Sequence, residues 1–466
     1  MSRTRASLLL AAFAVFGCQA LFPYGDNPEN CVLNPGICDT ANGVICNAMT
    51  QLCQKAGDCS ASAQCDSEAA AFCELGQCVP CSLDTQCITW SKDRRVSPAR
   101  NFCYVPTGAS GGTCGECKSN ENCGSSVGGP FCDLTTLKCR GCLFHSECDS
   151  MPKAGDGVCK RPGDPSTIAG ATGQCVPAGT IAYLGNMPAG CEASGANPSS
   201  VSKPYCTLAA AIASMTTLGK SVIKVLPSAT PYPAISLANE TVTLVGPGRD
   251  ASPGATFPSV VLTGSGTLTL SDVVVSASVG PAAIHCTGTG QLNVIASNVV
   301  NPGGNGIVST TCASVTIERT RVNSPGSYAI EVNGPYRIVN SLVVESGGNG
   351  MHPVFFKSNA VGVFNYNTVA RSSGSVICAQ PVTISNSTFV QNRMPPESCN
   401  INTSVVDATG MLLGTGSEPK LQNNPLAAML CIDRGEQPPA NEVQTDYFGA
   451  LRPKGSGWDK GYHELK

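Results

Sequence analysis

Cysteine placement constrains this chain more than any other feature of it. Of the 28 cysteines in 466 residues, twenty lie between Cys31 and Cys175 in five groups of four. The groups are Cys31, Cys38, Cys46, Cys53; Cys59, Cys65, Cys73, Cys78; Cys81, Cys87, Cys103, Cys114; Cys117, Cys123, Cys132, Cys139; and Cys142, Cys148, Cys159, Cys175. Five residues separate the first two cysteines of a group, six in the first group, and two residues separate each of the last three groups from its predecessor. Phe72-Cys73, Phe102-Cys103 and Phe131-Cys132 recur at the third position, and Gly76-Gln77-Cys78-Val79-Pro80 returns as Gly173-Gln174-Cys175-Val176-Pro177. This is an internal repeat. Units of about 25 to 35 residues bury too little apolar surface to fold alone, and cross-links compensate by restricting the unfolded chain.

Two chemistries use cysteines in such patterns. Cys114-x2-Cys117 and Cys139-x2-Cys142 come near zinc-ribbon spacing. Both pairs straddle unit junctions, however, and the chain has four histidines. Ten disulfides account for the even count and the repeat together, so no metal and no cofactor is expected. Pairing inside each unit is the expectation, although spacing alone does not decide connectivity.

Disulfides imply an oxidising compartment, and the N-terminus agrees. Arg3 and Arg5 precede the apolar run from Ala6 to Phe16, which has signal-peptide length and is too short to span a bilayer. The run ends in Val15-Phe16-Gly17-Cys18, which resembles the bacterial lipobox, where a diacylglycerol is attached to the cysteine and the leader is cut. The alternative is an ordinary signal peptide with an incidental cysteine. The resemblance implies a mature protein that starts at a lipidated Cys18 and is exported to the cell envelope, at the outer membrane or cell surface. Its 29 basic and 32 acidic residues nearly balance, so no nucleic-acid partner is expected. Charged residues make up only 13% of the chain, about half the usual share. Gly, Ser, Thr, Asn and Val fill the difference, a composition suited to short strands and turns.

After about residue 190 the pattern changes. Leu268-Thr-Leu270, Leu292-Asn-Val294, Val315-Thr-Ile317, Tyr336-Arg-Ile338, Val361-Gly-Val363 and Val382-Thr-Ile384 recur at steps of 24, 23, 21, 25 and 21 residues. Each run alternates as a half-buried strand does, and each is followed by a second short apolar run such as Val299-Val300 or Leu342-Val343-Val344. Repeats of this length holding two or three strands fit one turn of a parallel β-helix, whose stacked turns share one core. Asn340, Asn365 and Asn386 share one offset from their strand starts, which predicts an inward asparagine ladder; three independent turn asparagines are the alternative. The fold class is therefore all-β, a right-handed parallel β-helix preceded by small disulfide-rich repeats.

The segments Cys206-Thr207-Leu208-Ala209-Ala210-Ala211-Ile212, Val222-Ile223-Lys224-Val225 and Val242-Thr243-Leu244-Val245-Gly246-Pro247-Gly248 resemble the opening of pectin-lyase-like β-helix proteins, where a short amphipathic helix caps the coil. Ile338-Val339-Asn340-Ser341 and Ile384-Ser385-Asn386-Ser387 are similar to that family's inner coils. Asp446-x2-Gly449-x2-Arg452-Pro453-x5-Asp459-x-Gly461-x2-Glu464 is similar to the closing motif of bacterial surface β-helix proteins of the choice-of-anchor type. The cysteine-rich region resembles the stalk repeats of secreted bacterial surface proteins. The organisation read from these features is 1–18 leader, 19–30 tether, 31–177 cysteine-rich repeats, 178–205 linker, 206–430 β-helix and 431–466 closing segment. Of the seven other cysteines, Cys191 and Cys206 flank a Ser/Asn/Pro loop and are expected to clip it. Cys286 with Cys312, and Cys378 with Cys399, lie about one coil apart, within disulfide reach. Cys431 is left over.

Pectin-lyase-like proteins include polysaccharide lyases and hydrolases, whose chemistry needs paired carboxylates or a calcium cluster with a base. Residues 251–400 hold five scattered carboxylates, Asp272, Glu318, Glu331, Glu345 and Glu397. Glu318, Arg319 and Arg321, with Arg337 one coil on, form the densest charged spot. It is a candidate ligand-binding site, and a solvated face of stacked charges otherwise. His285 and His352 read as isolated surface residues, and an aromatic content of 5% offers few stacking platforms. The expectation is a non-catalytic surface protein with an adhesion, scaffold or glycan-binding role. Its partners would be the membrane through the anchor and a polysaccharide or cell-surface protein. The alternative is a divergent lyase acting on uronic-acid polymers.

Overall fold

The computed structural model describes residues 44–46, 53–55, 62–74, 77–123, 129–134, 136–149, 157–160, 173–186, 190–278, 280–346, 352–372, 374–390, 398–407, 412–413, 420–422, 430–436, 446–448 and 458–463. The leader with Cys18, the 19–30 tether, and Glu397 fall outside them. The chain forms two compact units, Met1–Gly141 and Cys142–Lys466, so the fifth cysteine repeat goes with the β-helix. No helix among the described residues is long and apolar enough to cross a membrane.

Each repeat is built on a two-stranded antiparallel hairpin. Its third and fourth cysteines face one another: Cys73 opposite Cys78, Cys103 opposite Cys114, Cys132 opposite Cys139 and Cys159 opposite Cys175. In the last three repeats the first cysteine bonds the third and the second bonds the fourth: Cys81–Cys103 with Cys87–Cys114, Cys117–Cys132 with Cys123–Cys139, and Cys142–Cys159 with Cys148–Cys175. In the second repeat Cys65 bonds Cys78. Two further positions recur. The third residue after the first cysteine accepts the N–H of the third cysteine: Ser62 at 3.2 Å, Asp84 and Asn120 at 2.8 Å, and His145 at 2.9 Å. The fifth, as Gln86, Asn122 or Glu147, accepts two N–H groups at the start of the intervening turn. That turn would otherwise leave its first donors unsatisfied.

The second unit is a right-handed parallel β-helix of about seven turns, with sheets of ten, eight and seven strands. The strands read from the sequence lie in the ten-stranded sheet, as Thr267–Ser271, Gln291–Ile295, Ser314–Glu318, Pro335–Val339, Val361–Asn365 and Thr383–Ser385. One inward column runs Leu244, Leu270, Val294, Ile317, Ile338, Phe364, Ile384 in register, each at most 1% exposed. A single coil could not enclose such a column, and stacking makes it a continuous core. At the leading end, the helix Leu208–Thr217 is capped by Thr207, which accepts the Ala210 N–H at 3.2 Å. It packs Leu208, Ile212 and Met215 against the core.

Two boundaries differ from the sequence reading. The ten-stranded sheet begins at Ile181–Leu184, which pairs in parallel with Val222–Val225, so the β-helix starts before 206 and takes in much of the expected linker. All four residues of that strand are buried, so no alternation marks it. The coil register also slips by one residue at Val361, which pairs with Pro335 while Tyr336 pairs with Gly362. The steps there run from 336 to 362 and from 362 to 382, that is 26 and 20. Val361 is therefore 66% exposed, and Gly362 occupies the inward place, where any Cβ would overlap the Tyr336 carbonyl.

The slip also corrects the asparagine ladder. Asp272, Ala296, Arg319, Asn340, Tyr366, Asn386 and Thr403 take up left-handed conformations at the corner that follows the ten-stranded sheet. Asn365 stands one place earlier, opposite Val339; its side-chain oxygen accepts the Asn386 amide at 3.1 Å, and its backbone carbonyl accepts the Asn340 N–H at 3.3 Å. The inward ladder is built by the next residue along: Ser297, Thr320, Ser341, Asn367, Ser387 and Ser404. Each side-chain oxygen accepts the N–H of its counterpart one coil earlier. The sequence is Val273 to Ser297 (3.3 Å), Ser297 to Thr320 (3.4 Å), Thr320 to Ser341 (3.3 Å), Ser341 to Asn367 (2.9 Å), Asn367 to Ser387 (3.2 Å) and Ser387 to Ser404 (3.1 Å). The hydroxyls donate in turn to the carbonyl two residues back, as Ser341 does to Val339 at 2.9 Å. A second, shorter ladder of Ser324, Ser346 and Ser372 follows the eight-stranded sheet.

The other disulfides among the described residues include Cys191–Cys206, Cys286–Cys312 and Cys378–Cys399, the last two joining neighbouring coils as their spacing suggests. Cys431 is free and buried, and burial pushes its thiol up to about 12.

The ladder makes a direct prediction. Ser341→Ala leaves the buried Thr320 N–H without its acceptor and should cost about 1–3 kcal/mol. The loss should appear as a lower denaturant midpoint at an unchanged slope. Ser265→Ala, on an exposed turn, should stay within about 0.5 kcal/mol of the parent. Equal midpoints for the two variants would contradict the ladder's role.

Candidate functional site

The structure gathers three of the four charged residues singled out in the sequence. Glu318 closes its strand in the ten-stranded sheet, and its carboxylate meets Arg337 Nη1 at 2.7 Å and Arg319 Nε at 3.6 Å. Arg319 is the left-handed corner residue and is buried. Arg321 lies past the corner, on the eight-stranded sheet between Asn298 and Leu342 in register. The corner turns its position onto a different face, which sequence proximity alone conceals.

Other carboxylates of the coil are similarly engaged. Asp272 Oδ2 lies 2.9 Å from His145 Nε2 and accepts the Ser271 hydroxyl at 2.7 Å. Glu331 pairs with Lys357 and accepts the Asn305 amide at 3.4 Å. Glu345 faces Arg371 at 3.6 Å and accepts the Asn323 amide at 3.1 Å. These four acids stand at separate places on the coil, Glu318, Glu331 and Glu345 each with its own cation and Asp272 with the His145 imidazole. Ion-pair energies at such partly exposed sites are small, but the pairing commits the carboxylates to fixed partners.

A cavity of about 270 Å³ lies over the corner column. Its floor is Asp272, Ala296 and Arg319, the corner residues of three successive coils. The small side chain of Ala296 leaves the depression between an acid and a base set roughly 10 Å apart at the coil spacing. Arg249, with Gly248 and Ala251, forms one wall, and Phe144, Tyr447 and Phe448 add aromatic edges. Arg249 is the clamp that completes this wall. Its guanidinium lies 3.6 Å from the Tyr447 ring centroid, and its Nη1 donates to the Arg319 carbonyl at 2.5 Å. Cation–π contact out of water is worth about 2 kcal/mol, and it adds to the packing of Tyr447 with Leu342 and Val344 in holding the 446–448 segment to the coil. Neither Arg249 nor Tyr447 stood out in the sequence, because they are almost two hundred residues apart.

A second arrangement lies on the outer side of the seven-stranded sheet. Asn305, Tyr328 and His352 occupy one column, each two residues ahead of the registered Ile307, Ile330 and Val354. Glu331 and Phe355 are opposite each other in the neighbouring column. Tyr328 stacks on Phe355 with ring centroids 5.5 Å apart and on His352 at 6.3 Å. All three rings are half-exposed. His352 is therefore not the isolated residue its sequence surroundings suggest, and a chain with few aromatics concentrates three of its rings here. The shelf is bordered by the Glu331–Lys357 pair and by Asn305, whose Oδ1 accepts the Ser327 hydroxyl. His285 is further along the second column, opposite Val308.

Comparison with protein-family models, with curated proteins and with solved structures found no match to this chain.

The clamp is testable. Arg249→Ala should lower the thermal midpoint and speed proteolysis within 446–463, with a stability loss of about 2 kcal/mol. Arg249→Lys, which keeps the charge but loses the planar fork, should fall between alanine and the parent. Cleavage of Arg249→Ala at the parental rate would refute the clamp.

Proposed function

We propose that this chain is an exported, lipid-anchored protein of the bacterial cell envelope, whose β-helix presents a non-catalytic glycan-binding surface. The cysteine-rich repeats would carry that surface away from the membrane. The observation that carries the reading is the shelf of Tyr328, Phe355 and His352 bordered by Asn305, Glu331 and Lys357. Sugar rings present C–H bonds with slight positive charge on one face, and these suit the negative faces of aromatic rings. The bordering Lys357 ammonium, 35% exposed and with protons beyond the one that Glu331 takes, is a donor for sugar hydroxyl groups. Tyr328 and His352 stand on successive coils, about 4.8 Å apart, which suits a glycan lying along the axis.

Export and lipidation are supported by the Val15-Phe16-Gly17-Cys18 motif and by a disulfide content that belongs to an oxidising compartment. Kinship with pectin-lyase-like proteins of the choice-of-anchor type rests on the sequence motifs at the two ends of the β-helix. The non-catalytic reading rests on Asp272, Glu318, Glu331 and Glu345, each tied to its own partner, His145, Arg337, Lys357 and Arg371 in turn. A lyase would need such groups to converge on one substrate bond.

The test uses the purified full-length protein on a glycan array, followed by titration of the glycans it retains. Phe355→Ala and Tyr328→Ala should each weaken binding about tenfold, as expected for one lost stacking partner, while circular dichroism stays unchanged. Arg337→Ala should leave binding intact. Binding that survives both aromatic substitutions would overturn the shelf as the site. Incubation with polygalacturonate or alginate, with or without calcium, should release no unsaturated products; turnover that is lost on substituting Arg319 or Arg337 would establish the lyase reading instead. For the anchor, Cys18→Ser should move the protein from the membrane to the soluble fraction. Wild-type protein found wholly soluble would contradict lipidation.

A further inference from the structure

The fifth disulfide repeat departs from the others at one informative position. Where Ser62, Asp84 and Asn120 accept the N–H of the third cysteine, the fifth repeat has His145. A hydroxyl or amide oxygen there completes the hairpin, and the second oxygen of Asp84 meets Lys118 of the following repeat at 2.7 Å. The imidazole has a second nitrogen on its far edge. Its Nδ1 accepts the Cys159 N–H at 2.9 Å, and its Nε2 lies 2.9 Å from Asp272 Oδ2, on the corner column of the β-helix. The His145 and Asp272 side chains are each 14% exposed.

These two bonds specify a protonation state. A ring that accepts at Nδ1 holds its proton on Nε2, so the neutral Nε2–H tautomer serves Cys159 and Asp272 together. Protonation adds a proton at Nδ1, and the Cys159 N–H then faces a second donor. The Asp272 contact gains full charge at the same time and strengthens. The other charged groups nearby do not reverse this. Glu147, on the same turn, is committed to the N–H groups of Leu143 and Phe144 at 2.7 and 3.2 Å. Ser271 donates to the same Asp272 oxygen that His145 meets. Arg249, Asp250 and Arg319 line the cavity of which Asp272 forms one end.

We propose that His145 makes the joint between the fifth disulfide repeat and the β-helix sensitive to protonation. The neutral ring closes the repeat's hairpin and holds it to Asp272; the protonated ring stays on Asp272 and releases the hairpin at Cys159. The two disulfides, Cys142–Cys159 and Cys148–Cys175, keep the repeat folded in both states. The result is a loosening at one edge of the repeat on acidification.

The test is backbone hydrogen exchange on the oxidised full-length protein at pH 8 and pH 5, corrected for intrinsic rates. Protection of the Cys159 amide should fall roughly tenfold at pH 5, the loss of one hydrogen bond. The matching Cys132 amide, bonded to Asn120, should not change. In His145→Asn the side-chain oxygen accepts at either pH, as Asn120 does, so Cys159 protection should no longer depend on pH. Ring nitrogen chemical shifts of wild-type His145 give a second measurement that needs no variant, and the Nε2–H tautomer is expected at pH 8. Equal Cys159 protection at both pH values in wild type, an equal fall in His145→Asn, or an Nδ1–H tautomer would each overturn the proposal.

Discussion

The interaction on which the rest of the β-helix depends is the hydrogen bond from a corner N–H to a hydroxyl or amide oxygen in the next coil. Parallel strands satisfy their backbone along the sheets, but each corner breaks the ladder and leaves buried donors behind. Left-handed residues make the turn sharp, at a cost of about 1–2 kcal/mol each for residues with a Cβ. Arg319, Tyr366 and Ala296 accept that conformation because the following Thr320, Asn367 and Ser297 restore the backbone bonds. With the corners held in register, the apolar column from Leu244 to Ile384 stacks without a break.

The same corner column organises the chain's other parts. Side chains at the left-handed positions point outward, away from the ladder, and so form an axial row on which other segments settle. Asp272 receives His145 from the last disulfide repeat. Asn386 takes the Glu436 N–H at 2.9 Å, and Tyr366 packs beside Trp458 with centroids 5.7 Å apart. Between these docked segments, where the corner residue is Ala296, the row is left open as a cavity. The aromatic shelf lies on a different sheet. That separation lets the corner row serve assembly while the seven-stranded face stays exposed.

Much of this was legible in the sequence, and the failures are instructive. Strands with alternating residues, such as Leu268-Thr-Leu270, announced both their presence and their spacing. The coil period brought Cys286 to Cys312 and Cys378 to Cys399. The strand Ile181–Leu184 escaped because a run buried on both faces has no period. The slip at Val361 escaped because the requirement for Gly362 comes from a carbonyl in the preceding coil, not from any neighbour in sequence. The charged spot was placed correctly except for Arg321, which the corner carries to another sheet. The aromatic shelf was hidden by averaging: 5% aromatics across 466 residues says nothing about three rings on adjacent coils. His145 was invisible as a joint until the other repeats showed what its position normally does.

Amide hydrogen exchange across residues 190–407 tests the central claim most directly. If side-chain oxygens complete the backbone at the corners, the amides of Ser297, Thr320, Ser341, Asn367 and Ser387 should be as protected as mid-strand amides such as Leu270 and Ile317. All of them should open together with the core. Corner amides that exchange orders of magnitude faster than the strands they join would show that the ladder does not hold the coil.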